Sequence, residues 1–459
     1  MVRLTRRDLL AGAAAGAVGA AGVYELVDHL AGAAPSRAAV PAPPAEQHLL
    51  EGVRVVRSDG IEVLVPPLHH EVLTARVAVD SPDLRDAARA LEHALAGLDA
   101  DYEASPAGLG VTVAWGSPYF DRLVPAAARR LLPHDRRADR PVLLPGERFP
   151  SDPPQTRLEA NDVAILLRSD TRAHIDDAVE RIRGTKTLAL TSIRRGFAGG
   201  GFDGGKSLPK RMAVAAGVPG ADLIPDTAEL FLGFTSTQRA SMGPGRIANF
   251  ETLGLVDLRG SGYFSHGTHM HLSHMDEDLE AWYLNFDFDE RVSTAFRPNL
   301  RIPPNRQTVP EGPKQAQSEA QVRRGYRETG RIGHSGAIQT ASRLQRRHVA
   351  TDGTVYPKGT PIPVRADFNT LDNPFAWSAK ESERGPLPAA GIHFVIFNPS
   401  GDDFRRNRLA MDGVLPSGPK LPLVARSAAQ GFNAVLRTTH RQNFLVPPRR
   451  HRSFPLAEL

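Results

Sequence analysis

The chain of 459 residues contains no cysteine. That absence excludes disulfide bonds, iron–sulfur clusters, thiolate zinc sites, haem held by cysteine, and thiol nucleophiles. A metal or cofactor would therefore have to be held by histidine, carboxylate, tyrosine or methionine side chains.

A clustered basic surface is also missing from the sequence. Lysine and arginine number 56 against 51 acidic residues, which gives a formal net charge of +5, and the excess is spread along the chain. The one short basic stretch is Arg449, Arg450, His451 and Arg452. Because nucleic-acid binding needs positive charge gathered on one face, the sequence predicts no nucleic-acid partner.

Motifs for phosphate binding and for serine hydrolysis are absent as well. Two glycine-rich segments occur, at 199–205 and 232–237, but neither has the glycine spacing of a P-loop or of a dinucleotide fingerprint. The sequence also has no GxSxG nucleophile elbow. These absences argue against nucleotide binding and against a serine hydrolase.

The composition that remains is that of a folded protein. Hydrophobic residues make up 41% of the chain and charged residues 23%, which is ordinary globular usage. The length predicts two or three domains. The 41 glycines and 38 prolines predict many turns and long loops.

The N-terminus has the pattern of a targeting segment. Thr5-Arg6-Arg7-Asp8-Leu9-Leu10 is a twin-arginine pattern, and an Ala/Gly-rich apolar run follows it. The run over 9–23 is about fifteen residues long, short of the roughly 20 that span a bilayer. We interpret 1–45 as signal peptide and linker, with Ala31-Gly32-Ala33 as a cleavage site, and an uncleaved anchor as the alternative. The prediction is export by the twin-arginine translocation machinery to the periplasm or the outside of the cell.

The first half of the remaining chain alternates strands and helices. Alternating residues predict a strand over 71–80, and unbroken apolar runs predict strands over 110–115 and 163–167. Apolar residues at three- and four-residue steps predict a helix after Pro82 and another over about 171–183. This order predicts an α+β fold, a sheet with helices on one face.

The second half offers the same kinds of element. We predict a His-rich strand over 266–275, helix over 276–296 and a strand over 391–397 with a helix from Asp402. The stretches 196–226 and 298–330 are interpreted as loop and as extended surface chain. Two similar α+β halves are therefore plausible.

Two groups of residues have the chemistry of a site. His269 and His271 would share one face of a strand and could chelate a metal, with Asp276 to Asp278 close behind. His334 stands between Gly333 and Ser335-Gly336, where glycine leaves room for a large planar ligand, and imidazole is the usual proximal haem ligand without cysteine. The stretch Arg343-Leu344-Gln345-Arg346-Arg347 follows, and a guanidinium suits a developing oxyanion or a propionate.

In chain order these pieces resemble the dye-decolourising peroxidase family, especially its twin-arginine-exported branch. The resemblance covers about 71 to 415. The similar segments in the first half are GVTVAWGSPYF at 110–120, DVAILLRSDTRAHIDDAVERI at 162–182 and RGF at 195–197. Those in the second half are GTHMHLSHMDEDLEAW at 267–282, His334, RLQRR at 343–347, and 391–397 with Asp403-Phe404.

The resemblance implies a fold of two ferredoxin-like α+β domains with antiparallel sheets, like the dimeric α/β-barrel proteins. The expected division is 46–225 for the N-terminal domain and 226–459 for a haem-binding C-terminal domain. The implied cofactor is haem b. His334 falls at the position of its proximal iron ligand, and Arg346 at the position of the distal arginine that contacts haem and peroxide.

The hallmark GFxDG of the family is altered here. Its counterpart by order and spacing is Gly233-Phe234-Thr235-Ser236-Thr237, which places Ser236 where the family has its catalytic acid. A rival register would use Asp203-Gly204. Because serine cannot act as a carboxylate base, a Ser236 enzyme should be slower by up to about 10²–10⁴ unless another group substitutes.

Three interpretations follow. The first is an exported haem peroxidase that reduces hydrogen peroxide and oxidises bulky organic reductants. The second is an exported haem-binding or haem-handling protein that has the same fold and binds haem but does not turn over peroxide. The third is a non-haem metal binder that uses His269 and His271. A homo-oligomer is compatible with all three.

Overall fold

The structure is a computed structural model that describes residues 23–31, 43–58, 61–135, 137–198, 206–226, 228–233, 262–300, 317–349, 355–372 and 388–459. The twin-arginine pattern, Ser236 and Asp203 lie outside these residues. None of the helices in the described ranges is both long and apolar enough to cross a membrane.

The first half contributes four long strands and most of the longer helices. The strands are β1 (His69–Val77), β2 (Gly110–Gly116), β3 (Val163–Ser169) and β4 (Leu188–Phe197). The helices are α1 (Leu26–Ala31), α2 (Leu84–Asp101), α3 (Ser117–Leu123), α4 (Pro125–Leu131), α5 (Arg172–Gly184) and α6 (Leu208–Ala215). Short strands lie at Val55–Ser58, Ile61–Leu64, His134–Asp135, Arg140–Pro141 and Arg157–Leu158.

The second half repeats the pattern with shorter helices. Its strands are β5 (Thr268–Glu277), β6 (Phe368–Thr370), β7 (Gly391–Asn398) and β8 (Leu436–Val446). Its helices are α7 (Leu279–Leu284), α8 (Phe288–Ala295), α9 (Glu319–Thr329), α10 (His334–Gln339) and α11 (Gly401–Met411). Short strands lie at His348–Val349, Val355–Tyr356 and Val364–Arg365.

Each half has the strand order of a ferredoxin-like sheet. The first half pairs in the order β4-β1-β3-β2 and the second in the order β8-β5-β7-β6, so both read fourth, first, third, second. All pairings within and between these eight strands are antiparallel. This confirms the α+β class and the two ferredoxin-like sheets that the resemblance implies.

The two sheets join into one closed ring of strands. β6 meets β4 at Asn369 and Phe197, and β8 meets β2 through Phe444 and Leu445. The ring interior holds a buried apolar cluster drawn from both halves, which includes Val72, Leu166, Leu272, Val395 and Phe444. The division of the chain at 225 remains a prediction, because the sheet runs continuously across it.

Helices cover the outer faces of the ring because their apolar residues are spaced for it. On α2, Leu84, Leu91, Leu95 and Leu98 are buried, which is the three- and four-residue spacing of one helix face. They pack with Ile175 and Ile182 of α5 against the first sheet. The C-terminal residues pack beside the same helix, because Arg452 pairs with Glu92 and Asp99 of α2.

Two sequence predictions about loops are wrong. A helix, α6, lies within 196–226, because Ser207 caps it and Leu208, Met212 and Ala213 are buried. A second helix, α9, lies within 298–330, with a capping box formed by Ser318 and Gln321. The glycine and proline content around them hid short helices whose burial depends on partners far along the chain.

Candidate functional site

The described residues enclose a cavity on the outer face of the second sheet. Alternate residues of two strands line it, because successive strand side chains point to opposite faces. They are Ser273, Met275 and Glu277 of β5, and Ile392, Phe394 and Ile396 of β7. One face of α11 closes the opposite wall, with Phe404, Asn407, Arg408 and Met411 at helical spacing.

The walls of this cavity are mainly apolar. Leu230, Leu232, Phe296, Ile338, Phe432 and Leu436 complete the set of large apolar side chains around it. The volume is about 200 Å³, whereas sites that bury a drug-sized ligand are typically ~300–1,000 Å³. A porphyrin would therefore require wall side chains to move. Met275 and Met411 are suited to this because unbranched thioether side chains repack easily.

His334 lines the cavity as the first residue of α10. Gly333, just before it, packs directly against the backbone of Phe296 and Arg297, where a Cβ atom would clash. On the other side, Gly431 has φ of 59°, and a Cβ there would lie 2.7 Å from the backbone nitrogen of His334. The two glycines therefore allow the backbone packing that holds this histidine in the cavity wall.

The imidazole of His334 is in the state that binds metals. Burial, together with the charges of Arg365 and Arg408, lowers its pKa to about 3, so the ring is neutral at physiological pH. Its Nδ1 is buried and has no hydrogen-bond partner among the described residues. The ring packs against Phe432, with 4.6 Å between ring centroids.

Four guanidinium groups line the same cavity, those of Arg343, Arg365, Arg408 and Arg441. Arg365 forms a two-pronged pair with Asp367, at 2.9 and 2.6 Å. Arg343 donates to the carbonyl of Gly359 at 3.2 Å, and burial lowers its pKa to about 10.

Asp152 anchors the other two guanidiniums. Arg408 and Arg441 each donate to its Oδ1 at 3.1 Å. Arg408 also donates to Asp412 at 2.9 Å. Burial alone would raise the pKa of Asp152, but the two guanidiniums outweigh it and hold that pKa below its usual value. This arrangement fixes positive charge at the edge of an apolar cavity.

We expect Asp152→Ala to be strongly destabilising. The substitution leaves Arg408 and Arg441 buried with less compensation, and breaking a buried pair in this way typically costs about 3–5 kcal/mol. The matched control is Asp176→Ala, which removes an exposed i,i+4 partner of Arg172 and should cost at most about 0.5 kcal/mol. Urea unfolding of both variants measures the difference. Equal losses in the two would contradict the anchoring role of Asp152.

Several polar atoms of the wall lack partners. Besides His334 Nδ1, they are Glu277 Oε2, Asn407 Oδ1 and Arg441 Nε, each buried and without a hydrogen bond within the described ranges. Buried polar atoms are nearly always paired in folded proteins, so this group of atoms around one cavity is where water or a ligand would bind. A neutral imidazole, apolar walls and guanidiniums are groups that can hold haem.

Glu277 stands out among these groups because it is a carboxyl group in an apolar wall. It is 8% exposed. Burial, and to a lesser extent the nearby carboxyl groups of Asp367 and Asp276, raise its pKa to about 8. It therefore holds a proton at neutral pH. The sequence pattern placed Glu277 beside the His-rich strand and did not assign it to this cavity.

The structure does not bring Arg346 to this cavity. Arg346 is exposed in the turn after α10, whereas Arg343, three residues earlier, is buried in the wall. The sequence RLQRR offered three arginines with equal chemistry, and only the course of the chain after Gln339 decides which one faces inward. Ser236 and its rival Asp203 lie outside the described residues, so their positions stay predictions.

The His-rich strand is confirmed, and its histidines point in two directions. His271 stacks on Phe404 at 3.4 Å and pairs through Nδ1 with Asn443 at 2.7 Å. His274 faces the ring interior, where it meets His393 at 5.0 Å between centroids. No group of three or more histidine and acidic side chains in the described part of the chain is arranged to hold a metal ion.

Trp282 has a packing role. It is fully buried, its Nε1 donates to the carbonyl of Leu232 at 2.9 Å, and its ring contacts Phe286 and Phe432. Since Leu232 and Phe432 also line the cavity, the indole supports two of its walls.

Comparison with known proteins relates the chain to a family and to a fold. A family model described as a family of unknown function, DUF7405, matches residues 67–448. No curated protein matches the sequence.

Solved structures of DyP-type peroxidases share the fold. The enzyme of Cellulomonas bogoriensis is 17% identical with a TM-score of 0.52, covering 89% of this chain and 94% of its own. A DypB variant of Rhodococcus jostii RHA1 in complex with heme is 11% identical with a TM-score of 0.48, covering 84% and 95%. The encapsulated enzyme of Mycobacterium smegmatis is 11% identical with a TM-score of 0.44, covering 84% and 95%. At these identities the similarity shows a shared fold and no more. Of these three structures, the enzyme of Cellulomonas bogoriensis is the one whose TM-score is high enough to support that conclusion.

Proposed function

The chain belongs to the DUF7405 family, whose function is unknown, and from its cavity we propose that it is an exported haem-dependent peroxidase of the dye-decolourising type. It would bind haem b, reduce hydrogen peroxide and oxidise bulky organic reductants. The fold of DyP-type peroxidases supports this proposal, and so does the chemistry of the cavity.

One observation carries the proposal. A neutral, buried imidazole with an unpartnered Nδ1 lies in the wall of an apolar cavity that four guanidiniums also line. His334 would hold the iron. Arg343, Arg365, Arg408 and Arg441 would bind the carboxylates of the porphyrin or the negative charge that develops on peroxide. Haem, when bound, would supply the two-electron reduction of peroxide.

Arginine and carboxyl groups of this chain would assist that chemistry. The resemblance assigned contact with haem and peroxide to Arg346, and in this proposal the guanidiniums of the cavity wall have that role instead. The charges of Arg365 and Arg408 are the ones that lower the pKa of His334. Glu277 would move a proton at its Oε2, which faces no hydrogen-bond partner in the described ranges. It is the group in this cavity that can substitute for the acid missing at Ser236.

The proton on Glu277 predicts a pH-dependent effect of Glu277→Gln. The folded-state pKa is about 8, above the value of about 4.5 expected for the unfolded chain, so the wild type loses stability as pH rises from about 4.5 to 8. Glutamine carries no such penalty. We expect the stability of the variant relative to the wild type to rise by about 1.4 kcal/mol per pH unit from pH 6 until the pH approaches 8. Urea unfolding of the haem-free proteins at several pH values measures this gain.

The matched control for this prediction is Glu280→Gln. Glu280 is exposed on α7, close to Glu277 in sequence. It should show no pH-dependent gain. A Glu277→Gln variant whose stability relative to wild type is the same at pH 6 and pH 8 would contradict a protonated Glu277.

A non-catalytic haem-binding protein is the second candidate. It is favoured by one observation, the serine at position 236, where the family resemblance expects a catalytic acid. It uses the same cavity and the same His334. The two candidates therefore differ only in peroxide turnover.

The experiment that tests the proposal uses the purified chain with haem added. We expect one haem per chain, a Soret band, and peroxide-dependent bleaching of a bulky dye. Haem binding without dye bleaching would favour the second candidate function, a non-catalytic haem-binding protein. Absence of a Soret band would remove both candidates together.

A further inference from the structure

A short segment after the twin-arginine leader is built into the folded protein. Val23, Tyr24 and Val27 are buried, at 7%, 3% and 0% exposure. They belong to the apolar cluster that also contains Leu208 and Met212 of α6. α1 packs directly against α6, which is a long-range contact across almost two hundred residues.

The phenol of Tyr24 fixes this segment to the end of β6. Its hydroxyl lies 3.1 Å from Thr370 Oγ1, donates to Asp372 Oδ1 at 3.0 Å and accepts from the backbone N–H of Leu371 at 2.8 Å. Burial raises its pKa well above the ordinary value. β6 forms one of the two junctions between the sheets, so these bonds lie where the two halves of the fold meet.

The contacts continue to the last residues of α1. Asp28 pairs with Nε2 of His69, the first residue of β1, at 2.6 Å. The guanidinium of Arg211 donates to the carbonyl of Leu30. The packed segment therefore reaches the beginning of Ala31-Gly32-Ala33, the cleavage site that the sequence predicted.

Cleavage at 31–33 would remove every one of these contacts. It would uncover the apolar residues of α6 and leave the N–H of Leu371 without its phenol partner. We propose that residues 23–31 stay in the mature protein, and that the leader is cut on the N-terminal side of Val23. Ala20-Ala21-Gly22 offers small residues there. The placement of the cut rests on the proposed export.

The first test is the N-terminus of the exported protein. The full chain is produced in a host with an active twin-arginine pathway, and the folded product outside the cytoplasm is analysed by intact mass and N-terminal sequencing. We expect the first residue to be Val23 or one before it. A folded product that begins at residues 32–34 would overturn the inference while leaving export intact.

The second test holds even if the chain is not exported. Tyr24→Phe and Tyr24→Ala are compared with wild type in the full chain, with Tyr326→Phe as control, since the Tyr326 hydroxyl makes one exposed contact of 3.4 Å to Pro422. We expect Tyr24→Ala to lower Tm by about 3 °C or more, Tyr24→Phe to lower it less, and the control to leave it unchanged. In limited proteolysis, the bonds after Leu26 and Leu30, which both proteins share, should be protected in the wild type and cut earlier in the Ala variant. Unchanged Tm and protection in Tyr24→Ala would overturn the inference.

Discussion

The haem-free chain should unfold in mild acid, with a steep loss of stability below about pH 6. Among the described residues, six buried histidines and the partly exposed His334 have pKa values well under the ordinary 6.5; the six are His70, His269, His271, His274, His393 and His440. Burial is the main cause for each of them. The folded chain keeps these rings neutral, whereas the unfolded chain protonates them.

The sign of the effect follows from those pKa directions. A lowered folded-state pKa contributes stability that is complete above about pH 6.5 and is lost as pH falls toward the folded value, which is about 3 for His70, His269 and His334 and about 4 for His440. The carboxyl groups of Glu229, Glu277 and Asp276 have raised pKa values of about 8, 8 and 6, so below pH 6 they offset three of the seven protons. Unfolding is then coupled to a net uptake of about four protons, which lowers the free energy of unfolding by about 5 kcal/mol per pH unit. Since domains are typically stable by about 5–15 kcal/mol, unfolding is expected between about pH 5.5 and 4.

Circular dichroism and urea unfolding between pH 8 and pH 4 measure this loss. A matched pair of variants checks its cause. His440→Gln removes one buried imidazole and should make the pH dependence shallower by about one proton, whereas His93→Gln, at an exposed position on α2, should not change it. Stability that stays constant from pH 7 to pH 5 would show that the buried histidines are not neutral.

The second large effect concerns haem affinity. His334→Ala removes the one imidazole that lines the cavity among the described residues, and we expect the dissociation constant for haem to rise at least about 100-fold, which corresponds to about 2.7 kcal/mol. Because Nδ1 of His334 makes no hydrogen bond to a described residue, the haem-free variant should keep most of its stability. Haem titration followed by absorbance gives the affinity, and urea unfolding gives the stability.

His93→Ala is the control for that titration, since it removes an exposed imidazole outside the cavity. It should bind haem like the wild type. If His334→Ala kept wild-type affinity, another group would hold the iron. If it lost affinity and stability together, the histidine would be a structural residue and not a ligand.

The sequence predicted the elements whose pattern is local. The alternation before Val77, the apolar run of β3 and the helical spacing of Leu84 to Leu98 all appear in the structure at nearly the expected positions. β4 and β8 escaped detection because buried arginines and histidines, such as Arg194 and His440, stand where a strand pattern expects apolar residues. Buried polar residues of this kind hide the apolar period of a strand in the sequence.

The candidate site was predictable only in part. His334 was predicted because its flanking glycines are a local signal, and in the structure those glycines pack closely against Phe296 and Gln317. Arg365, Arg408 and Glu277 were missed because each belongs to a different element, and only the fold brings those elements around one cavity. The choice between Arg343 and Arg346 likewise depended on how the chain turns after α10.

The most direct test of the central claim is an experimental structure of the chain loaded with haem. The account predicts iron bound by a ring nitrogen of His334, with the porphyrin between the outer face of β5 and β7 and the helix α11. It also predicts porphyrin carboxylates near the guanidiniums of the wall. Haem located elsewhere, or iron held by a different side chain while His334 stays in an unoccupied cavity, would contradict it.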